Sequence, residues 1–345
     1  MSDAVRAALA SIVEGGTLSV DEARLAMGGV MDGEATPAQL AALLMGLRMR
    51  GETVDELTGF AQAMRERVLQ VKAPDGTIDV VGTGGDGSGT FNISTAAALV
   101  VAAAGIPVAK HGNRAITSKA GSADVLDALG IRIDHDAVSA GEALRQHGFA
   151  FLFAPSFHPA MKHAGPTRRE IGVRTAFNLI GPLTNPAGAS RQLLGVADAA
   201  MAPRMAEVAH QLGTERTFVI HGAGIDELPL DDSGVLYHVG PDGIERHDIP
   251  ASKLGLQVTP TSRLGGGTPD ENARTIETVF RGEPGAKRDV VLLNAGAAFL
   301  VAGEVEQLEG GIEKAALTID AGLATDLLER LRAERAAHVP EPAST

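Results

Sequence analysis

The run Gly82-Thr83-Gly84-Gly85-Asp86-Gly87-Ser88-Gly89-Thr90 carries residue types and a spacing that could do chemistry. Glycines leave backbone N–H groups free to face phosphate oxygens, and they tolerate the positive φ angles such a loop needs. Directly behind it, Asn92-Ile93-Ser94-Thr95 opens a helix. The free N–H groups and dipole of a helix start favour an anion, and the hydroxyls add donors. The pattern is neither GxGxxG nor GxxxxGK[ST], because no Gly-Lys follows and Asp86 sits inside the loop. A carboxylate there would repel a phosphate, so Asp86 is expected to act through a bridging metal or a ribose hydroxyl. Alone, the run also has the composition of a flexible turn between strand and helix. The Ser/Thr/Asn cluster at the helix start favours the anion.

A second constellation, Lys110-His111-Gly112-Asn113-Arg114, follows a strand read at 106–109 and so should emerge at the same sheet edge. Lys110 and Arg114 supply charge, and Asn113 can donate and accept. Ser118, Lys119, Gly121 and Ser122 then lead to another helix start. Two anion-binding turns on adjacent strands suggest a ligand with phosphates at both ends; a solvated basic turn is the bland alternative. Asp226-Glu227, after a strand ending at His221, could hold Mg²⁺ through oxygen ligands. Acidic loops are common in this chain, and only the position beside the other two loops raises this pair above them. Downstream of His158, Arg168 or Arg169 could grip a carboxylate bidentately, although both also suit an exposed helix start.

The elements that must position these groups fall into two parts. Residues 1–72 read as a small helical bundle: apolar spacing over Val5–Ile12, a start at Ser19, Thr36-Pro37 as a cap, and a Thr53/Glu56 capping box for a helix reaching about Val71. Residues 73–335 alternate strand and helix, with strands at 78–81, 106–109, 149–153, 193–196 and 217–221, which implies parallel strands with helical crossovers. Helices are read at 94–104, 122–129, 202–212, 268–282 and 286–335. The helical, Pro-rich stretch 158–190 is expected to pack against the bundle, and 336–345 to be a disordered tail. The fold class is therefore α/β: a small helical bundle plus a larger domain with a mostly parallel central sheet flanked by helices.

Composition bounds the function. The chain has 345 residues, 44% hydrophobic and 3% aromatic, so its core is built from Ala, Val, Leu and Ile. With no cysteine, disulfides, zinc-thiolate sites and thiol nucleophiles are excluded. A formal net charge of −13 argues against nucleic-acid binding. The N-terminus lacks the pattern of a signal peptide and the apolar runs are too short to span a bilayer, so a cytoplasmic address is expected.

Four segments, GTGGDGSGTFNIST, KHGNRAITSKAGSADVLDALG, HPAMKHAGPTRREIGVRTAFNLIGPLTNPAG and GIDEL, together resemble the anthranilate phosphoribosyltransferase family of tryptophan biosynthesis, over about residues 3–335. The resemblance implies a nucleoside phosphorylase/phosphoribosyltransferase-like fold, a homodimer formed through the helical domain, and two Mg²⁺ ions. It implies attack of the anthranilate amine on C1 of phosphoribosyl pyrophosphate. Carried over, Gly82, Gly85, Asp86, Thr90, Asn92, Ile93, Ser94 and Thr95 would line the pyrophosphate and ribose, with Ser94 reaching a metal. Lys110, His111, Gly112, Asn113, Arg114, Ala115, Ile116, Thr117, Ser118 and Ser122 would complete the phosphoribosyl site. Asp226 and Glu227 would hold the second ion. Gly82, Asn113 and Arg168 would contact anthranilate, with His111, His158 and Pro182 lining its path. An aniline-type amine is nearly neutral in water, so no general base is assigned. One departure is Asp231-Asp232 soon after the acidic pair, where a Ser or Thr is more usual; both read as solvated turn residues. Pyrimidine nucleoside phosphorylases share the architecture but differ in both loops. A catalytically silent nucleic-acid binder would need a basic face and loss of Arg168.

Overall fold

The computed structural model describes residues 2–115 and 119–338. Four helices begin the chain: α1 (Asp3–Val13), α2 (Val20–Met31), α3 (Pro37–Arg50) and α4 (Val54–Arg65). Ser19, Thr36 and Thr53 cap the last three, each accepting from the N3 amide while Glu22, Gln39 and Glu56 reach back. Such caps are worth about 1 kcal/mol each. The expected helix to Val71 stops at Arg65, because the Leu69 and Val71 amides donate to Phe157 and Pro186 carbonyls instead.

Next come β1 (Ile78–Gly82), α5 (Ile93–Ala103), β2 (Val108–Gly112), α6 (Ser122–Ala128), α7 (Ala137–His147) and β3 (Phe149–Phe153). Short helices α8 (Ala154–Phe157), α9 (Gly165–Ile171) and α10 (Ala176–Ile180) lead to β4 (Arg191–Gly195), α11 (Met201–Gln211) and β5 (Arg216–His221). A hairpin, β6 (Gly234–Gly240) and β7 (Gly243–Ile249), precedes α12 (Pro269–Phe280), α13 (Ala286–Ala302), α14 (Leu308–Asp320) and α15 (Leu323–Ala337).

The sheet order is β3-β2-β1-β4-β5-β6-β7, with β1 to β5 parallel and the last two antiparallel. Alternate residues feed opposite layers. Val80, Leu193 and Ile220 face α5 and α13, whereas Val81, Leu194 and Val219 face the bundle and α11. Ala164, Ala176, Phe177 and Leu183 share that second core with the bundle.

Several sequence expectations need correction. The second strand runs from Val108 to Gly112, not 106–109, so Lys110 and His111 are strand residues rather than turn residues. The reason is pairing: residues 108–112 match Phe149–Phe153 one for one, whereas Pro107 has no amide to give. The stretch 286–335 is three helices, interrupted after Gly303 and at Gly322, both at positive φ. The last helix reaches Ala337, so 336–337 are not tail; 339–345 lie outside the described residues, as do 116–118. The hairpin and α7 were not read from the sequence. Among the described residues no helix is long and apolar enough to cross a membrane.

Candidate active site

Successive strands run one way from β1 through β2 to β3 and the other way through β4 to β5, so chain direction across the sheet reverses beside β1. Ligands of open α/β sheets collect at the carboxyl ends of the strands at such a reversal. Two glycines, Gly82 and Gly195, end β1 and β4 as register partners there. A Cβ on Gly82 would lie 2.2 Å from Asp226 Oδ2, and one on Gly195 1.7 Å from the Asp226 carbonyl oxygen. Asp226 therefore occupies the space that two missing side chains leave. It is delivered by a tight turn in which Ala223 and Gly224 take φ of +50° and +76°. Asp226 Oδ2 accepts the Gly84 N–H at 2.8 Å.

The second carboxylate of the pair reaches the helix start. Glu227 Oε1 accepts the Ser94 N–H at 2.9 Å. The segment behind it is clamped by fully buried Asn294 of α13, which accepts the Leu228 N–H at 2.9 Å and donates to its carbonyl at 3.0 Å. Lys110 crosses under the same site, its Nζ donating to the Val80 carbonyl at 2.5 Å and to Ser94 Oγ at 3.4 Å. On the other side Asp79 is fully buried, accepting from the His111 amide, Asn185 Nδ2 and Gln192 Nε2.

The electrostatics follow from burial. Burial and the neighbouring Asp226 push Glu227 up to about 8, against the pull of Lys110. Asp226 is raised by burial and by Asp86. Burial pushes Asp79 up to about 6, although three donors and Lys110 oppose it. Burial lowers the Lys110 ammonium, while Asp79, Glu227 and Asp226 draw it back up. Asp226 and Glu227, side by side and both raised, form a hard-oxygen donor set, and a divalent cation in place of their protons suits such a pair.

The glycine loop itself is shaped by its backbone. Gly84, Gly85, Gly87 and Gly89 all have φ between 62° and 69°. Arg174 donates to the Thr83 carbonyl at 3.1 Å and to that of Gly84, packing where a Gly85 Cβ would sit. Asp86 bonds Ser88 through its amide and hydroxyl, turning the loop back on itself. Thr90 bridges to Gly265, and the Asn92 side chain donates to the Ala120 carbonyl while accepting from Asn272. Ile93 and Thr95 are buried in the first turn of α5.

Beside this hub, the buried rings of His111 and His158 lie 5.1 Å apart. Burial pushes them down to about 3 and about 4, so both are neutral near pH 7. Each Nε2 has no hydrogen-bond partner among the described residues. Pro182, buried in a 3-10 turn, offers its carbonyl to Gln192 at 2.7 Å. The Arg168 guanidinium stands 4.7 Å over the Phe177 ring and pairs with no carboxylate among the described residues. Gly112 ends β2 where a Cβ would meet Ser122 Oγ at 2.4 Å. Ser122 bonds the Asn113 carbonyl, and Ala115 gives its amide to Asp124. Arg114 is turned onto Asp124 and Asp127 at 2.9 and 3.4 Å rather than left free. Ile116, Thr117 and Ser118 lie outside the described residues. Asp231 bonds Ser233 and the exposed Asp232 holds Ser252.

Hydrogen bonds thus join Gly84, Ser94, Lys110, Asp226 and Glu227 in one hub. Asp79, Arg174, Asn185 and Asn294 belong to its support and were not singled out from the sequence. A buried Asp in a β-strand and a lone Asn inside the apolar run of α13 were the available signals. A cleft of about 700 Å³ between α12 and the start of α13 contains none of these groups.

The chain is similar to known proteins over most of its length. A family model described as the glycosyl transferase family, a/b domain, matches residues 74–325, and the glycosyl transferase family, helical bundle domain, matches residues 6–68. The chain is 49% identical to the anthranilate phosphoribosyltransferase of Pelotomaculum thermopropionicum, over 95% of each chain. It is 48% identical to that of Xanthobacter autotrophicus, over 97% and 98%. The solved structure of the Thermus thermophilus enzyme superposes with a TM-score of 0.90 at 44% identity, covering 97% of this chain and all of that one. The Saccharomyces cerevisiae enzyme in complex with PRPP and Mg does so at 0.87 with 26% identity, covering 97% and 98%.

Proposed function

The chain belongs to the anthranilate phosphoribosyltransferase family, and on that premise we propose how its own residues divide the work of the reaction. The enzyme transfers the 5-phosphoribosyl group of phosphoribosyl pyrophosphate to the anthranilate amine, giving N-(5-phosphoribosyl)anthranilate and pyrophosphate in tryptophan biosynthesis. The bond from C1 to the pyrophosphate oxygen breaks, the bond from C1 to nitrogen forms, and the amine proton passes to solvent.

In our reading the loop Gly82–Thr90 binds pyrophosphate and ribose through backbone N–H groups, and the helix start Asn92–Thr95 adds its side chains. The segment from Lys110 to Ser118, with Ser122, binds the phosphoribosyl part. Arg168, Asn113 and Gly82 orient anthranilate, with His111, His158 and Pro182 beside its path. Neutral imidazoles suit a passage for an amine that needs no base. The observation that carries the assignment is the hub at the sheet reversal, where Asp226 and Glu227 tie the glycine loop to the helix start.

Asp226, Glu227 and Ser94 fit Mg²⁺, and we infer two ions from the family resemblance. Bound Mg²⁺ supplies neutralisation of the charge that develops on departing pyrophosphate. The protein's own part is to align the amine with C1. A homodimer through the helical domain accords with the exposed apolar side chains of Val13, Leu25 and Met49 on α1, α2 and α3. A cytoplasmic setting accords with a polyanionic substrate that does not cross bilayers unaided.

The test is consumption of fluorescent anthranilate by purified protein with phosphoribosyl pyrophosphate and Mg²⁺. Turnover that stops with a chelator and returns with Mg²⁺ is expected. Turnover indifferent to the chelator would remove Asp226, Glu227 and Ser94 from a metal role.

A further inference from the structure

The outer edge of the sheet carries a second set of ligand-type groups that the reaction does not use. His238 on β6 stands opposite Glu245 on β7, and His247, two residues on, shares that face of the hairpin. One nitrogen of each imidazole and one Glu245 oxygen all lie within 4.8 Å of one another. His247 Nε2 is 3.6 Å from Glu245 Oε2. A four-coordinate ion with metal–ligand bonds of about 2.0–2.1 Å places its ligand atoms roughly 3.3 Å apart. The Glu245–His247 pair is already near that spacing.

Closing the rest needs only side-chain rotation. His247 and Glu245 are 49% and 76% exposed, so rotation displaces no packed neighbour. His238 is the fixed member: half-buried, with its ring set edge-on to Phe218 at 5.0 Å and 79°. The neighbouring charges are also placed. Arg246 points to the other face with Asp248 at 2.7 Å, and Arg216, beside His238, donates to the Leu300 carbonyl at 3.2 Å.

We propose that His238, Glu245 and His247 form a binding site for a divalent transition-metal ion such as Zn²⁺, Co²⁺ or Ni²⁺, with solvent completing its coordination. Two imidazoles and one carboxylate suit such ions, whereas Mg²⁺ takes oxygen ligands. The site is separate from the reaction centre: His238 pairs with Phe218, three residues before the end of β5, and β7 is the outermost strand. A metal there joins β6 to an edge strand that is held on one side only, and so stabilises the hairpin by mass action.

The experiment is calorimetric Zn²⁺ titration of the untagged full-length protein, with Mg²⁺ in excess to occupy the oxygen-rich site. A parallel Co²⁺ titration is read by visible absorption. Expected are one equivalent per chain with micromolar affinity, and at least tenfold weaker binding in His247→Ala and in His238→Ala. The Co²⁺ band should disappear in both, while Mg²⁺-supported anthranilate turnover stays unchanged in His247→Ala. Zn²⁺ binding that is as tight in His247→Ala as in the parent overturns the proposal and places the ion elsewhere. So does a parent protein that binds no Zn²⁺ below the millimolar range.

Discussion

Gly82→Ala puts the proposed metal-holding role of Asp226 to a direct test. A Cβ at residue 82 would stand 2.2 Å from Asp226 Oδ2 and 2.9 Å from its Cγ. Carbon and oxygen need roughly 3.4 Å, so the carboxylate must retreat by about 1 Å. That same oxygen accepts the Gly84 amide at 2.8 Å, so the retreat breaks the bond that ties the loop to the acidic pair. A charge-assisted hydrogen bond of this kind contributes about 1.5–3 kcal/mol. Displacement of a positioning group by about 1 Å lowers turnover on the order of a hundredfold. The main chain can adapt, because Gly82 is not among the residues at positive φ. Gly82→Ala is therefore expected to fold, to lose about two orders of magnitude in kcat by the fluorescence assay, and to need more Mg²⁺ for half-maximal rate. A variant with kcat and Mg²⁺ requirement within twofold of the parent would falsify the assignment of Asp226 to the metal.

Three other perturbations probe different parts of the site. Arg168→Ala should raise KM for anthranilate roughly ten- to a hundredfold with little change for phosphoribosyl pyrophosphate, since it removes a carboxylate-gripping group; steady-state kinetics with each substrate varied decides it. Asn294→Leu leaves the buried Leu228 amide and carbonyl without their side-chain partner and should cost about 2–3 kcal/mol of stability together with much of kcat; a urea midpoint equal to the parent's would contradict the clamp. Asp79→Asn tests the sign of a buried charge. Its folded pKa of about 6 lies above the ordinary 3.8, so its favourable contribution is present below pH 3.8 and is lost as pH rises through 6. The shift is equivalent to about 3 kcal/mol, so the parent should lose stability relative to Asp79→Asn between pH 4 and 7; parallel urea midpoints across that range would show that Asp79 is not held up.

What the sequence made legible were features with local causes. The Thr36-Pro37 cap and the Thr53/Glu56 capping box depend on residues no more than three apart, and β1 ends where its apolar residues meet glycine. Less legible was anything set by pairing between distant strands. The Lys110 segment reads as a basic turn from its composition, yet its one-for-one match with Phe149–Phe153 makes it strand and sends Lys110 into the interior. Asn294 looks anomalous in an apolar helix, and its purpose appears only when Leu228, sixty-six residues away, comes to rest against it. The alternation in β6 and the Asp242-Gly243 turn are the local hairpin signal of this region.

The arrangement also explains how a chain of net charge −13 can take a polyanionic substrate. The cations near the site are mostly committed to the protein: Arg114 to Asp124 and Asp127, Arg174 to two loop carbonyls, and Lys110 to the Val80 carbonyl. What is left is the row of loop amides that the positive-φ glycines expose and the acidic pair that we propose holds metal, since the Ser94 amide at the start of α5 is already taken by Glu227. Even Asp86, which looks misplaced beside phosphates, turns its carboxylate onto Ser88 within the loop while its charge helps raise Asp226. With recognition by backbone and metal, as we propose, the acidic balance of the chain is no obstacle to its reaction.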